Sequence, residues 1–108
     1  MKHFLNIKDI PASDLKKIIS NAKKRKINRK NLNTLDVDRD NPLKGKLIIQ
    51  MFEKVSTRTR LSFYIAIKQL GGSALTLRSD ELHLAKGESL ADTAKILSTY
   101  GNAFMLRT

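Results

Sequence analysis

The 108-residue chain predicts an α/β fold, a parallel sheet with flanking helices, and three observations carry that prediction. Short runs rich in β-forming residues alternate with segments whose apolar residues recur at helical spacing. The first such run, Lys46-Leu47-Ile48-Ile49-Gln50-Met51-Phe52, is too continuous for a half-exposed strand and too short for a helix, as expected of a central parallel strand. No internal repeat and no Gly/Ser- or Pro-rich linker interrupts the succession, so the chain reads as one continuous piece.

Each element follows from its own residues. After Ile10-Pro11-Ala12, Ser13 is the expected N-cap of a first helix, and Leu15, Ile18, Ile19 and Ala22 repeat at i, i+3, i+4 and i+7 as one buried stripe. From Asn28 to Pro42 the pattern dissolves into Asn, Asp and Arg, with Pro42 and Gly45 as punctuation, which predicts a surface loop. The Lys46–Phe52 strand follows, then a helix capped by Ser56 with Phe63, Ala66, Ile67 and Leu70 on one face and Gly71-Gly72 as its left-handed stop. A second strand is expected over Ser73–Arg78 and a polar loop over Ser79–Glu88. Ser89-Leu90-Ala91-Asp92 matches a capping box; the helix it opens carries the stripe Leu90, Thr93, Ala94 and Leu97 and ends at Gly101, and Ala103–Arg107 is the third strand. Strands alternating with helices of this length imply right-handed crossovers.

Composition narrows the function. A length of 108 residues supports one domain that buries about 65 % of its unfolded surface. With 41 % hydrophobic and 29 % charged residues the chain reads as soluble and globular. No apolar run approaches the roughly 20 residues of a spanning helix, and no secretory signal is evident at the front; a cytoplasmic location and no membrane partner are expected. The absence of cysteine excludes disulfides, thiolate nucleophiles and Cys-ligated metals, and His3 and His83 are far apart in sequence, so no metal site and no cofactor is expected.

The net charge of +11 is concentrated at the front: residues 1–46 hold 13 Lys/Arg against 5 Asp/Glu. Its densest run, Lys23-Lys24-Arg25-Lys26-Ile27-Asn28-Arg29-Lys30, has two readings: an electrostatic footprint for nucleic acid, or a solvated helix end where cations face the negative end of the dipole. No aromatic residue interleaves the run, so the stacking platform of a single-strand binder is missing and no nucleic-acid partner is expected.

The chemistry concentrates in Phe52-Glu53-Lys54-Val55-Ser56-Thr57-Arg58-Thr59-Arg60, between the first long strand and its helix. Open α/β sheets bind ligands beyond the carboxyl ends of their strands, where free N–H groups and the positive end of a helix dipole converge. Three hydroxyls and two guanidiniums lie within five residues there; hydroxyls donate to phosphate oxygens, and an arginine can hold two oxygens at once. Cations at a helix N-terminus oppose the dipole by a few tenths of a kcal/mol each, a mismatch that a bound phosphate relieves. The plain alternative is Ser56 as an ordinary cap with Arg58 and Arg60 in water. Arg107, at the carboxyl end of the third strand, is expected at the same sheet edge. The Walker spacing Gly-x4-Gly-Lys-Ser/Thr is absent.

These residues carry a resemblance. Phe52 to Phe63 with its Ser56-Thr57-Arg58-Thr59-Arg60 core, the run Gly87-Glu88-Ser89-Leu90-Ala91-Asp92-Thr93-Ala94 and the closing Arg107-Thr108 resemble the aspartate/ornithine carbamoyltransferase family over nearly the whole chain. Glu53-Lys54-Val55 resembles the ornithine branch; the aspartate branch typically places Glu-Pro directly before the serine. The resemblance implies that Ser56, Thr57, Arg58, Thr59 and Arg107 hold carbamoyl phosphate, with Arg58, Thr59 and Arg107 acting on the reacting group. It further implies transfer of the carbamoyl group to the δ-amino group of ornithine, giving citrulline and phosphate in arginine metabolism. Ser79–Glu88 resembles the family segment that enters a neighbouring subunit's site, which implies a homotrimer. His83 then contacts the neighbour's phosphate or is an exposed loop residue, Lys86 is a weaker candidate, and the loop departs from the family pattern at Ala85, where glycine is usual.

Family members also carry a second domain for the amino-acid substrate. Residues 1–108 therefore read as an incomplete N-terminal carbamoyl-phosphate-binding domain, with the ornithine-binding domain absent and with apolar helix faces and a sheet edge left exposed. An aspartate-type carbamoyltransferase and a non-enzymatic basic nucleic-acid module are the competing readings.

Overall fold

The computed structural model describes residues 3–53, 56–78 and 90–107, which form two compact units, 1–33 and 34–108. In the first, a 3₁₀ turn at Ile7–Asp9 precedes helix α1, Ala12–Asn28. Ser13 is not its cap. Pro11 takes that position, with φ −54° and ψ 140°, and its carbonyl accepts from the N–H groups of Asp14 and Leu15. Proline has its φ preset near this value and no N–H of its own to satisfy, so it starts the helix without a side-chain cap. The expected buried stripe is also corrected: no residue of α1 is buried, and Ile18 and Ile19 are more than half exposed. A turn and one helix supply no second layer against which this unit can bury a stripe. The basic run occupies the last turns of α1 and the residues just after it, consistent with a solvated helix end.

The second unit is a three-stranded parallel sheet with strands β1 (Leu47–Phe52), β2 (Ser73–Arg78) and β3 (Ala103–Arg107) in the order β2-β1-β3. Helix α2 (Thr57–Gln69) connects β1 to β2, and α3 (Leu90–Leu97) precedes β3. The continuous apolar character of β1 is explained by its central position: Ile49, Gln50, Met51 and Phe52 are all buried. Full burial of Ile49 or Met51 stabilises the unit by roughly 1.5–3 kcal/mol each. Gln50 is polar at 0 % exposure; its Nε2 donates to Thr76 Oγ1 of β2 at 3.1 Å, so half of its amide is satisfied by its register partner.

Of the expected α2 face, Ile67 is buried and Leu70 half-buried, while Phe63 and Ala66 are exposed, as is Leu61. This corrects the four-residue stripe and agrees with the expectation of exposed apolar helix surface; three strands offer less area than the stripe would cover. On α3, Thr93 is buried and Ala94 and Leu97 are half-buried. Ser89, with its capping box, and the 79–88 loop lie outside the described residues.

The segment before β1 is tied to the far end of α2. Asp38 N–H donates to Gln69 O, Leu43 N–H to Leu70 O, and Gln69 Nε2 to the Thr34 carbonyl, so the expected surface loop has a buried member, Asp38. Gly71 ends α2 at φ +92°, and a Cβ there would stand 1.5 Å from Asn41 Oδ1. Both the left-handed conformation and the close approach require glycine. At the other side of β1, Asn102 grips Leu47 twice: its N–H donates to Leu47 O at 2.8 Å, and its Oδ1 accepts from Leu47 N–H at 2.9 Å. β3 therefore enters in a defined register, Ile48 opposite Ala103 through Phe52 opposite Arg107.

Gly71→Ala is expected to lower unfolding free energy by roughly 1–3 kcal/mol, read as a reduced denaturant midpoint at unchanged slope. Asn102→Ala removes one of the two Leu47 bonds and is expected to cost about 0.5–1.5 kcal/mol in the same measurement.

Candidate anion site at the carboxyl edge of the sheet

All three strands run in parallel and end in one row. Phe52 of β1 is flanked by Arg78 of β2 on one side and Arg107 of β3 on the other. The β1–β3 pairing continues one residue further, where Glu53 N–H donates to Arg107 O at 2.9 Å. Leaving this edge, the chain re-enters regular structure at Ser56, in extended conformation (φ −146°, ψ 99°), and α2 begins at Thr57.

Ser56 occupies the expected N-cap position but makes no side-chain capping bond. The helix opens with Arg60 N–H donating to Ser56 O at 3.1 Å, so by helix geometry the N–H groups of Thr57, Arg58 and Thr59 have no intrahelical acceptor. No acidic residue stands in this first turn to meet the positive end of the dipole; Arg58 and Arg60 stand there instead, both exposed. Ser62 Oγ bonds back to the Arg58 carbonyl at 2.7 Å, holding the turn from within the helix.

The contact that joins the two halves of the site is between Arg107 and Thr59. Arg107 Nη1 donates to Thr59 Oγ1 at 2.5 Å across 48 residues of sequence. A guanidinium from β3 thus lies against the first turn of α2, beside the free N–H groups and within the same edge as the Ser56 and Thr57 hydroxyls. Ser56, Thr57, Arg58 and Thr59, at the start of α2, and Arg107, at the end of β3, thus lie at one edge of the sheet. Lys54, Val55, His83, Ala85 and Lys86 fall outside the described residues. In the sequence Arg78 reads only as the end of a strand; the signal that places it at this edge is the equal length of β1 and β2, which brings their last residues level.

Hydroxyls, unbonded N–H groups, a helix N-terminus and guanidiniums form a donor set suited to a small, doubly charged oxyanion. Among the described residues there is no cluster of three or more His, Asp, Glu or Cys side chains able to hold a metal ion, and no helix is long and apolar enough to cross a membrane.

Residues 2–108 match the family model described as aspartate/ornithine carbamoyltransferase, carbamoyl-P binding domain. The chain is 44 % identical over its full length to the ornithine carbamoyltransferase of Brucella abortus (strain 2308) and 40 % identical to that of Cereibacter sphaeroides (strain ATCC 17029 / ATH 2.4.9), spanning 33 % and 35 % of those proteins. Its fold is similar to that of ornithine carbamoyltransferase from Pyrococcus furiosus, with a TM-score of 0.83 and 40 % identity over 98 % of this chain and 32 % of the other. It is also similar to the catalytic subunit of M. jannaschii aspartate transcarbamoylase, at TM-score 0.76 and 38 % identity over 99 % of this chain and 34 % of the other. The chain thus spans about a third of the length of these relatives. The match over residues 2–108 shows that the chain belongs to the aspartate/ornithine carbamoyltransferase family, in the region of its carbamoyl-P binding domain.

Proposed function

We propose that these residues bind carbamoyl phosphate for an ornithine carbamoyltransferase, and the observation that supports this best is the Arg107–Thr59 hydrogen bond. The phosphate sits at the amino end of α2, accepting from the N–H groups of Thr57, Arg58 and Thr59 and from the hydroxyls of Ser56 and Thr57, with the Arg58 guanidinium on its oxygens. Arg107 and Thr59, already in contact, face the carbamoyl carbonyl oxygen.

In the reaction, the δ-amino nitrogen of ornithine attacks the carbonyl carbon. A C–N bond forms, the carbonyl oxygen takes up negative charge, and Thr59 and Arg107 stabilise that charge as it develops. The carbonyl then re-forms as the bond from carbon to the phosphate oxygen breaks, and the departing phosphate takes that electron pair and the proton lost by the amine, leaving citrulline and hydrogen phosphate. No protein nucleophile is required. Donors that already surround the phosphate stabilise it more as its charge grows, so the cradle favours the transition state over the bound substrate. Holding both substrates in line supplies much of the remaining acceleration.

Ornithine as acceptor is supported by the Glu53-Lys54-Val55 spacing and by the curated relatives. The acceptor site belongs, in this proposal, to a second domain outside these 108 residues, and the working protein is a trimer in which His83 of one subunit reaches the phosphate of the next. An aspartate-type transferase is the competing reading, since aspartate transcarbamoylases are among the similar structures.

The 108 residues by themselves are expected to form no measurable citrulline from ornithine and carbamoyl phosphate; turnover by the purified chain overturns the two-domain assignment. In the protein at its native length, Arg58→Ala is expected to weaken carbamoyl phosphate binding about 100-fold or more, read by calorimetry, with the thermal melt close to wild type. Supplying ornithine or aspartate in parallel to that protein decides the acceptor: ornithine turnover is expected, and carbamoyl-aspartate as the main product refutes it.

A further inference from the structure

We propose that Arg78 is a further anion-binding residue of this site, closing on the phosphate from the β2 side as Arg107 does from the β3 side. The inference rests on the carbamoyl phosphate reading above and goes beyond the signature residues. Its basis is the sheet register. Arg78 and Arg107 are the two neighbours of Phe52 in the last row of the sheet, one on each flanking strand.

In a parallel ladder, register partners stand on the same face, and the face alternates with each residue. Two contacts identify the face concerned. Gln50 and Thr76 are register partners, and their side chains are hydrogen-bonded, so the face they share is real in this sheet. Two residues further along the same strands come Phe52 and Arg78, returning to that face. On the other side Phe52 is paired with Arg107, whose guanidinium reaches the first turn of α2. Arg78 therefore starts from the same row and the same face as a guanidinium already at the site.

The separation suits a shared ligand. Adjacent strands lie about 4.8 Å apart, so the Cα atoms of Arg78 and Arg107 are roughly 10 Å apart with Phe52 midway. Two long side chains rooted at that distance can close on one small dianion above the central strand, where the chain turns into α2. Arg78 is exposed, so its guanidinium meets the ligand without first being desolvated in the core. Among the described residues, the last row and the first turn of α2 carry Arg58, Arg60, Arg78 and Arg107 and the carboxylate of Glu53. That surplus is suited to a doubly charged oxyanion and unsuited to a neutral ligand.

The test uses the protein at its native length, titrated calorimetrically with carbamoyl phosphate and, separately, with inorganic phosphate. Arg78→Gln is expected to weaken both by about tenfold, the usual worth of one charge-assisted hydrogen bond, with the thermal melt unchanged. Arg78→Lys, which keeps the charge, is expected to recover most of the loss. Wild-type affinity for both probes in Arg78→Gln overturns the proposal when Arg58→Ala, measured alongside, weakens binding as expected above. A loss that comes with a lowered melting temperature and is not recovered by lysine also overturns it, as damage to β2. If Arg58→Ala binds both probes like wild type, the anion site itself is refuted and Arg78 falls with it.

Discussion

The register of three parallel strands is the constraint on which the site depends. β1 is central and buried, so its pairing with β2 and β3 decides which residues arrive level at the carboxyl edge. Side chains alternate between faces along a strand, and a slip of one residue between β1 and β3 would turn Arg107 away from α2 and break its bond to Thr59. Two devices at opposite ends of β3 oppose such a slip. Asn102 holds Leu47 at the start, and Glu53 N–H holds the Arg107 carbonyl at the finish. A bond at the far side of the sheet thereby helps to aim a guanidinium about 15 Å away, four to five strand residues at roughly 3.3 Å each.

The first turn of α2 shows how a locally unfavourable arrangement becomes useful. Arginines at a helix N-terminus oppose the dipole, and Ser56 leaves its hydroxyl out of the capping bond that would ordinarily occupy it. A turn chosen for helix stability would carry Asp or Glu and a bonded cap. This one keeps donors available and positive charge concentrated, which costs the helix end a small amount of stability and suits it chemically to an oxyanion. Membership of a carbamoyl-phosphate-binding family agrees with that physical reading.

Much of this was legible along the chain. The β1 run, Ser56 as the residue that enters α2, Gly71 as its left-handed stop and the strand ending at Arg107 all follow from local spacing and appear where expected. Each departure has its own physical cause. Pro11 displaces Ser13 because its preset φ starts the helix without a side-chain cap. Ile18, Ile19, Phe63 and Ala66 have the periodicity of buried faces yet remain exposed, because periodicity states what a helix can bury and not how much surface is available to bury it. Asp38, in a run that reads as plain surface loop, is buried because its N–H and those of its neighbours satisfy the carbonyls at the end of α2.

By itself the amino-acid sequence determined the alternation of strand and helix, the donors of Ser56 to Arg60 and the family to which they point, since each depends on residues close together in the chain. Only the tertiary structure decided the strand order β2-β1-β3 and the level at which the strands end, and with them the meeting of Arg107 with Thr59 and the position of Arg78 across Phe52. The reason is that strand pairing is a contact between segments tens of residues apart; local spacing specifies which face each residue takes, while the hydrogen-bond ladder alone specifies which residue of another strand stands beside it.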